Sequence, residues 1–317
     1  MTAPYQGAGR EVGVEEAELV RRQSNIWRDT GRNVVHQRNA IVGLFILGFL
    51  VLIAVFADQI TIYPPDQVLI GVVPGARPAA PPCVHAFGCP EDKPQFLMGT
   101  DPNVRDEYSR VVHGARVSLF VGFATVGFAI MLGMLAGLVA GYAGGWGDNV
   151  IMRAMDILLV FPALLLAISI VTALGQSLIN AQLAIGIVAI PIYARITRAS
   201  VLSVKETDFV TASRALGESS RGLIFRRILP NSITPLIVAG TLGIAGAVLD
   251  VAALSFLGLG AQPPLAEWGS MIGLDSGRLF SAPWLIIFPG IALSLTVFGF
   301  NLLGDGLRDA LDPRLNR

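Results

Sequence analysis

Charge is scarce in this sequence. Only 15% of its 317 residues are Asp, Glu, Lys or Arg, whereas 53% are hydrophobic, and the mean hydropathy is +0.62. This composition excludes an ordinary water-soluble protein and is typical of integral membrane proteins. Basic and acidic residues are equal in number at 23 each. Because neither sign of charge is in excess, a nucleic-acid partner is not expected. The hydrophobic composition instead predicts contact with membrane lipid.

Several motifs of common enzymes are also missing. No Gly-Lys dipeptide occurs, so the GxxxxGK[ST] loop that binds the phosphates of ATP is excluded. The HExxH motif of zinc proteases and the GxSxG motif of serine hydrolases are absent as well. We therefore expect that the chain is not an enzyme, has no catalytic residues and binds no cofactor itself. Energy for any active process must therefore come from a source other than ATP hydrolysis at such a loop in this chain.

Cysteine is equally rare. The two cysteines, Cys83 and Cys89, lie in a Pro-rich stretch between the first two apolar runs, which predicts an exposed loop. In an oxidising compartment they would form a disulfide, and two free thiols are the alternative. Even with His85 between them, they fall short of the four ligands of a structural zinc site. We predict a possible disulfide and no metal site.

Long apolar runs account for much of the rest of the chain. A bilayer core requires about 20 apolar residues per helix, and six runs meet this length. The sequence therefore predicts an all-α integral membrane protein with six transmembrane helices. They are expected near residues 40–60, 117–142, 151–174, 181–200, 233–257 and 284–303.

The arginines predict the orientation of these helices. Six arginines precede the first run, and residues 195–232 contain six more together with Lys205. Under the positive-inside rule both regions face the cytoplasm, and so do both termini. The predicted segments are a cytosolic N-terminal segment 1–38, a first transmembrane helix 39–61, an extracytoplasmic loop 62–115, a five-helix core 116–304 with a cytosolic loop 201–232, and a cytosolic tail 305–317.

One cytosolic stretch has an unusual composition. Residues 208–231 read DFVTASRALGESSRGLIFRRILPN, a polar segment between two apolar runs. Good helix formers and a glycine predict a helix that ends at Gly217. A second helix is expected over residues 219–229, where Pro230 would stop it. Two short helices joined at a glycine could form a binding site for a soluble partner protein. The alternative is an ordinary loop at the membrane surface.

Few acidic residues lie within the predicted spans. Asp250, in the fifth run, is the one at membrane depth, where an ionised group is costly and usually faces a bundle interior or an aqueous cavity. It could line a translocation path, or it could be a structural acid that is neutral or paired with arginine. Asp156 follows Arg153 by three residues, which predicts a structural ion pair on one helix face.

The cytosolic stretch resembles the EAA loop of ABC-importer permeases, whose pattern is Glu-Ala-Ala, three residues, Gly, and later Ile-x-Leu-Pro. The matching positions are Ala212, Gly217, Leu229 and Pro230. Two positions depart from the pattern, since Thr211 replaces the glutamate and Ser213 the second alanine. Any charge pair made by that glutamate is therefore not expected here.

Further stretches narrow the resemblance. Residues 98–119 resemble a segment of the C-type dipeptide/oligopeptide/nickel permeases whose pattern is LGTDxxGRDxxSRxxxGARxSL. They read MGTDPNVRDEYSRVVHGARVSL, with Val104 in place of a glycine of the pattern. Three later stretches also resemble segments of this group of permeases: LSFLGLGAQPPLAEWGSMI, APWLIIFPG and FNLLGDGLRDALDPRL. The resemblance covers most of the chain from Trp27 to Leu315.

The resemblance implies a type I ABC-importer permease core preceded by an extra N-terminal span, in a bacterial or archaeal cytoplasmic membrane. It also implies four kinds of partner: a homologous second permease, two ATPase subunits that bind ATP and Mg, an extracytoplasmic solute-binding protein, and membrane lipid. The EAA loop would be the coupling helix that docks on an ATPase. The residues assigned to coupling are Thr211, Ala212, Ser213, Leu216, Gly217, Glu218, Ser219 and Ser220.

The expected function is ATP-driven import of short peptides delivered by the solute-binding protein. Nickel chelates or oligosaccharides are alternative cargoes for the same class of importer. A stand-alone secondary transporter is a second hypothesis, because such proteins place ionisable residues near the bilayer midplane. In such a transporter, Asp250 would be the ionisable residue that couples ion movement to transport.

Overall fold

A computed structural model of the protein describes residues 37–311. The segment predicted at residues 1–38 therefore lies almost entirely outside the described residues, as do residues 312–317. Within the described range the regular structure is helical, apart from two isolated β-bridges. The α-helices are α1 Arg38–Val55, α2 Ala57–Ile60, α3 Glu107–Ala143, α4 Gly145–Val160, α5 Ala163–Leu174, α6 Leu178–Lys205, α7 Asp208–Ala215, α8 Ser220–Gly222, α9 Leu229–Ser232, α10 Thr234–Phe256, α11 Trp268–Asp275 and α12 Trp284–Leu311.

Five of these helices are long and apolar enough to cross a membrane: α1, α3, α6, α10 and α12. The third predicted span corresponds to the pair α4 and α5, which together are long and apolar enough to cross a membrane and are bent by 92° at the break between them. The break falls at Pro162, a residue able to kink a helix. Pro162 disfavours helical geometry at the residue before it, and Phe161 is accordingly extended with φ −85° and ψ 141°.

Glycines bring α3 and α6 close together. A Cβ at Gly133 would lie 2.8 Å from the carbonyl oxygen of Ile190, and one at Gly141 would lie 2.9 Å from a methyl carbon of Val201. Gly137, between them, faces the backbone of Ala194. This four-residue spacing of small residues lets two helix backbones approach closely. The line of glycines is therefore a packing seam of the bundle.

Two ion pairs join α4 to α6. The Arg198 guanidinium donates to both carboxylate oxygens of Asp148 at 2.5 Å each, and Arg195 Nη2 lies 2.6 Å from Asp156 Oδ1. The predicted pair between Asp156 and Arg153 is not formed, because a guanidinium of the neighbouring helix takes that carboxylate instead. Bidentate arginine–carboxylate geometry fixes orientation as well as distance. These pairs orient α4 at the end of the bundle that carries residues 201–232, here called the arginine-rich end.

At the opposite end, which carries residues 61–106 and 257–283, α11 packs tightly on α10. A Cβ at Gly269 would lie 2.5 Å from the Cα of Ala252, and one at Gly273 would lie 2.5 Å from the carbonyl oxygen of Phe256. The indole of Trp268 is buried and donates to the carbonyl of Val111 at 2.9 Å. The short helix α11 is thus a fixed part of the bundle.

The buried carboxylate of Glu267 holds the start of α11. Its two oxygens accept the backbone N–H groups of Gly269 at 2.9 Å and Ser270 at 2.8 Å. Burial raises the pKa of this carboxyl above its ordinary value of 4.5, although the two backbone hydrogen bonds act in the opposite direction. Glu267 is therefore a helix cap whose charge is costly to bury.

This cap gives a pH-dependent prediction. The folded state holds the Glu267 proton more tightly than the unfolded state, so the contribution of this group to stability is present below pH 4.5 and is lost as the pH rises through the folded-state pKa. Between about pH 5 and about pH 7, the melting temperature of the wild type should fall more than that of Glu267→Gln, whose amide does not ionise. Glu91→Gln, at an exposed glutamate of the same end, should follow the wild type. Equal slopes for all three proteins would contradict the assignment.

The loop before α3 is ordered by Asp101. Its Oδ1 accepts the backbone N–H groups of Asn103 and Arg105, and its Oδ2 accepts from the Arg105 guanidinium at 2.6 and 2.7 Å. Val104, the residue at which this stretch departs from the pattern that it resembles, has a φ of +58° and is buried beside Leu69. This conformation is strained for a β-branched residue and readily adopted by glycine. The departure seen in the sequence therefore lies where the backbone itself favours glycine.

Candidate functional site

The loop 201–232 at the arginine-rich end is packed against the bundle. Its buried apolar side chains meet those at the ends of α3 and α6 in one small cluster, formed by Leu138, Val201, Val210, Leu223 and Ile228. A shared apolar core resists relative movement of the elements that contribute to it. Movement of the loop would therefore be passed to α3 and α6.

Gly217 makes the turn that the sequence predicts. The N–H of Gly217 donates to the carbonyl of Arg214 at 3.0 Å, and the N–H of Glu218 donates to that of Ser213 at 3.1 Å. This pair of bonds closes α7 as a Schellman motif, with Gly217 at a φ of +82°. A Cβ at this position would meet nothing within 4 Å. The backbone conformation, and not lack of space, is what favours glycine here.

The chain beyond the turn differs from the prediction. The second helix was expected to end at Pro230, but it continues as a π-helical segment, Leu223–Ile228, and then as α9. Pro230 lies in the first turn of α9, where a missing N–H is tolerated because those donors have no partner within the helix. Arg227 pairs with Glu218 at 3.1 Å across the segment. The loop is therefore a helical unit folded back on itself.

An apolar side chain projects from the apex of this unit. Leu216, the last residue before the turn, is 89% exposed, and Phe209 and Phe225 are also exposed at 44% and 61%. Of the other predicted coupling residues, Ser213 and Glu218 are half-buried. Those at the surface are Thr211, Ala212, Gly217, Ser219 and Ser220. An exposed leucine on an ordered turn, among polar neighbours, is suited to burial against another protein.

Sequence reasoning missed several residues of this end. It did not assign Phe209, Phe225 or the ion pair between Asp148 and Arg198 to the site. The two phenylalanines are aromatic residues within an otherwise polar, arginine-bearing stretch, and that composition was a usable signal. The ion pair joins residues 50 positions apart, so no local pattern could reveal it.

Asp250 lies apart from this end, six residues before the end of α10, and its side chain is exposed. No hydrogen bond or ion pair reaches its carboxylate from the residues of the range 37–311. Gly246, one turn earlier on the same face, is also exposed, and a Cβ there would meet nothing within 4 Å. The structure therefore shows an open carboxylate beside a gap in the helix surface.

The two cysteines lie together at the opposite end. Cys83 and Cys89 form a disulfide with their Cα atoms 5.4 Å apart, around a short 3₁₀ turn at His85–Phe87. The backbone of Cys83 also exchanges two hydrogen bonds with that of Phe96, at 2.8 and 2.9 Å. This bridge orders a loop, and in residues 37–311 no group of three His, Cys, Asp or Glu side chains is arranged to hold a metal ion.

Two protein families match this chain. Residues 129–317 match the family described as binding-protein-dependent transport system inner membrane component. Residues 25–82 match the N-terminal transmembrane domain of oligopeptide transport permease C. The first match covers the packing seam and the loop 201–232, and the second covers α1, which is the additional N-terminal span.

Curated relatives and a solved structure agree with these matches. The dipeptide transport system permease protein DppC of Alkalihalophilus pseudofirmus is 45% identical over 91% of this chain and 90% of the relative. The di/tripeptide transport system permease protein DppC of Pseudomonas aeruginosa is 43% identical over 90% of this chain and 91% of the relative. An inward-facing MetNI methionine ABC transporter shares the fold, with a TM-score of 0.53 at 18% identity over 64% of this chain and 96% of that chain. The chain therefore belongs to the binding-protein-dependent transport system inner membrane components, the permease subunits of ABC importers, in the group that carries the oligopeptide permease C N-terminal domain.

Proposed function

We propose that this chain translocates short peptides, di- or oligopeptides, as one permease of an ATP-driven importer. The observation that carries the cargo assignment is similarity over about nine-tenths of both chains to permeases named for dipeptides and di/tripeptides. Nickel chelates and oligosaccharides are the alternative cargoes. The chain supplies the path and no catalysis of its own.

The proposed complex contains this chain, a homologous second permease, two ATPase subunits and an extracytoplasmic solute-binding protein. ATP and Mg are held by the ATPases. The arginine-rich end faces the cytosol, together with both termini, and the loop containing the disulfide faces outward, in accordance with the positive-inside rule. The membrane is the cytoplasmic membrane of a bacterium or archaeon, and the domain limits are those predicted from the sequence.

Coupling is proposed to work through the apex around Leu216. Residues 211–220 enter a groove of an ATPase, with the exposed leucine as the apolar anchor. When ATP closes the two ATPases, the apex moves with them. The buried cluster beneath it, which includes Val210 and Leu138, transmits the movement to α6 and α3. These helices then change which side of the membrane the path opens to.

Co-purification in mild detergent is the experiment that tests this function. Recovery of a second permease and P-loop ATPases, followed by ATP-dependent dipeptide uptake in proteoliposomes with the binding protein, is the expected result. Recovery of this chain alone, under conditions that keep other ABC complexes intact, would overturn the importer proposal. It would favour a secondary transporter, which the open carboxylate of Asp250 could serve.

Replacing Leu216 tests the docking apex directly. Leu216→Ser removes the 89% exposed apolar side chain without disturbing the buried cluster. Loss of a central apolar anchor commonly costs about 2 kcal/mol or more of binding free energy, or more than about tenfold in affinity. We expect reduced ATPase recovery with unchanged permease expression. Leu174→Ser, at a leucine 55% exposed on another part of the chain, is the control. Equal recovery from both variants would show that the apex is not the anchor.

A further inference from the structure

The carboxylate of Asp250 differs from the other acidic groups described in the preceding sections. Asp148 and Asp156 pair with arginines of α6, and Asp101 and Glu267 accept backbone N–H groups at the outward end. Asp250 is the one ionisable residue of α10, and nothing in residues 37–311 pairs with it. Within the described part of the chain its carboxylate is therefore open to a ligand.

The position of Asp250 on α10 makes lipid an unfavourable surrounding for its charge. It lies six residues before Phe256, or about 9 Å from the outward end of the helix. At the centre of a membrane helix an ionised carboxylate facing lipid costs about 2.5–3.5 kcal/mol. This cost favours an arrangement in which the exposed face that bears Asp250 and Gly246 meets water or another protein in the assembled transporter.

The opposite face of α10 is held rigidly. Ala252 lies about 200° around the helix axis from Asp250, and its backbone is in close contact with Gly269 of α11. The carboxylate therefore stands on a fixed helix, directed away from α11. Gly246 leaves room beside it, since no atom lies within 4 Å of a Cβ placed there. A charge held on a rigid helix beside open space can be reached by a charged group of a ligand without rearrangement of the helix.

We propose that Asp250 binds the protonated α-amino group of the peptide as it enters the path from the outward side, an inference that rests on the proposed peptide function. The α-amine of a peptide has a pKa near 8 and is cationic at neutral pH. A partly desolvated carboxylate favours this end of the peptide and repels its carboxylate end. Asp250 thus selects cargo with a free cationic amine and orients it amine-first against α10.

A substitution series in the assembled complex tests this subsite. ATP-dependent dipeptide uptake is measured in proteoliposomes containing both permeases, the ATPases and saturating binding protein. We expect Asp250→Asn to lower uptake about 10- to 100-fold, the range for losing a hydrogen bond to a charged group. Asp250→Glu keeps the charge and should retain most uptake, whereas Asp250→Lys should lower it further. Gly246→Leu fills the adjoining space and should also lower uptake.

The controls separate this proposal from its rivals. Leu249→Asn, at the exposed neighbouring residue, changes polarity without removing a charge and should transport normally. Uptake by Asp250→Asn equal to the wild type would overturn the subsite. Loss of the second permease from the purified Asp250→Asn complex would also overturn it, by showing an ion pair between subunits. Failure of the wild-type complex to import any dipeptide would defeat the proposed function and this inference together.

Discussion

Replacing Gly137 with alanine is expected to destabilise the protein sharply, although it adds a single methyl group. The new Cβ would meet the carbonyl oxygen of Ala194 well inside van der Waals contact, and would lie 2.8 Å from the Cβ of Thr197 and 2.9 Å from the backbone nitrogen of Arg198. Two of these atoms belong to the backbone of α6, which cannot give way as a side chain can. Overpacking of this kind costs about 1–3 kcal/mol, and sometimes more.

A second glycine of the same helix supplies the matched control. Gly127 lies ten residues earlier in α3, and a Cβ there would meet nothing within 4 Å. Alanine is favoured over glycine in a helix by about 1 kcal/mol, so Gly127→Ala should be neutral or slightly stabilising. Thermal unfolding in detergent, followed by size-exclusion chromatography, compares the two variants. Equal melting temperatures would show that α3 and α6 are not packed as closely as described.

Replacing Gly217 with valine is expected to uncouple ATP hydrolysis from transport while leaving membrane insertion intact. The φ of +82° is readily adopted by glycine, and a β-branched residue there is strained by about 1–3 kcal/mol. The strain would displace Leu216 and open the Schellman turn that closes α7. If the strain weakens the docking of the loop on the ATPase by roughly 1.4 kcal/mol, uptake per ATP hydrolysed should fall about tenfold or more. This ratio is measured in proteoliposomes.

Asparagine at the same position is the informative comparison. It tolerates the left-handed conformation better than other non-glycine residues, so Gly217→Asn should keep most of the coupling. A loss of coupling in Gly217→Asn as large as in Gly217→Val would point to contact with the ATPase, and not to the backbone, as the reason for the glycine. Normal coupling in both variants would show that the turn lies outside the coupling site.

Much of the fold could be predicted because membrane spans depend on local composition. Apolar runs of sufficient length indicated all six spans, and five of them are single long helices. The turn at Gly217 was equally local, because a glycine after good helix formers is a helix stop. The exception was the third span, where Pro162 bends the chain by 92°. A proline within an apolar run is compatible with either a kinked or a broken helix, and the neighbouring helices decide between them.

The second helix of the loop 201–232 was predicted to end too early for a similar reason. Proline is unfavourable inside a helix but is tolerated in the first turn of one. Here the π-helical segment ends at Ile228, and Pro230 lies in the first turn of α9, which follows it. The partner of Asp156 was also predicted wrongly. The spacing along the chain predicted Arg153, three positions from Asp156. The structure shows Arg195 instead, which is 39 positions away and is brought near by the packing of α4 against α6.

The sequence by itself determined the class of protein, the number of spans and the location of the loop, because hydrophobicity and turn residues act over short distances along the chain. Tertiary structure alone decided which glycines are packed and which are open, which acidic groups are paired, and that Asp250 has no partner among residues 37–311. These properties depend on atoms far apart in sequence, which only the packed bundle brings within contact.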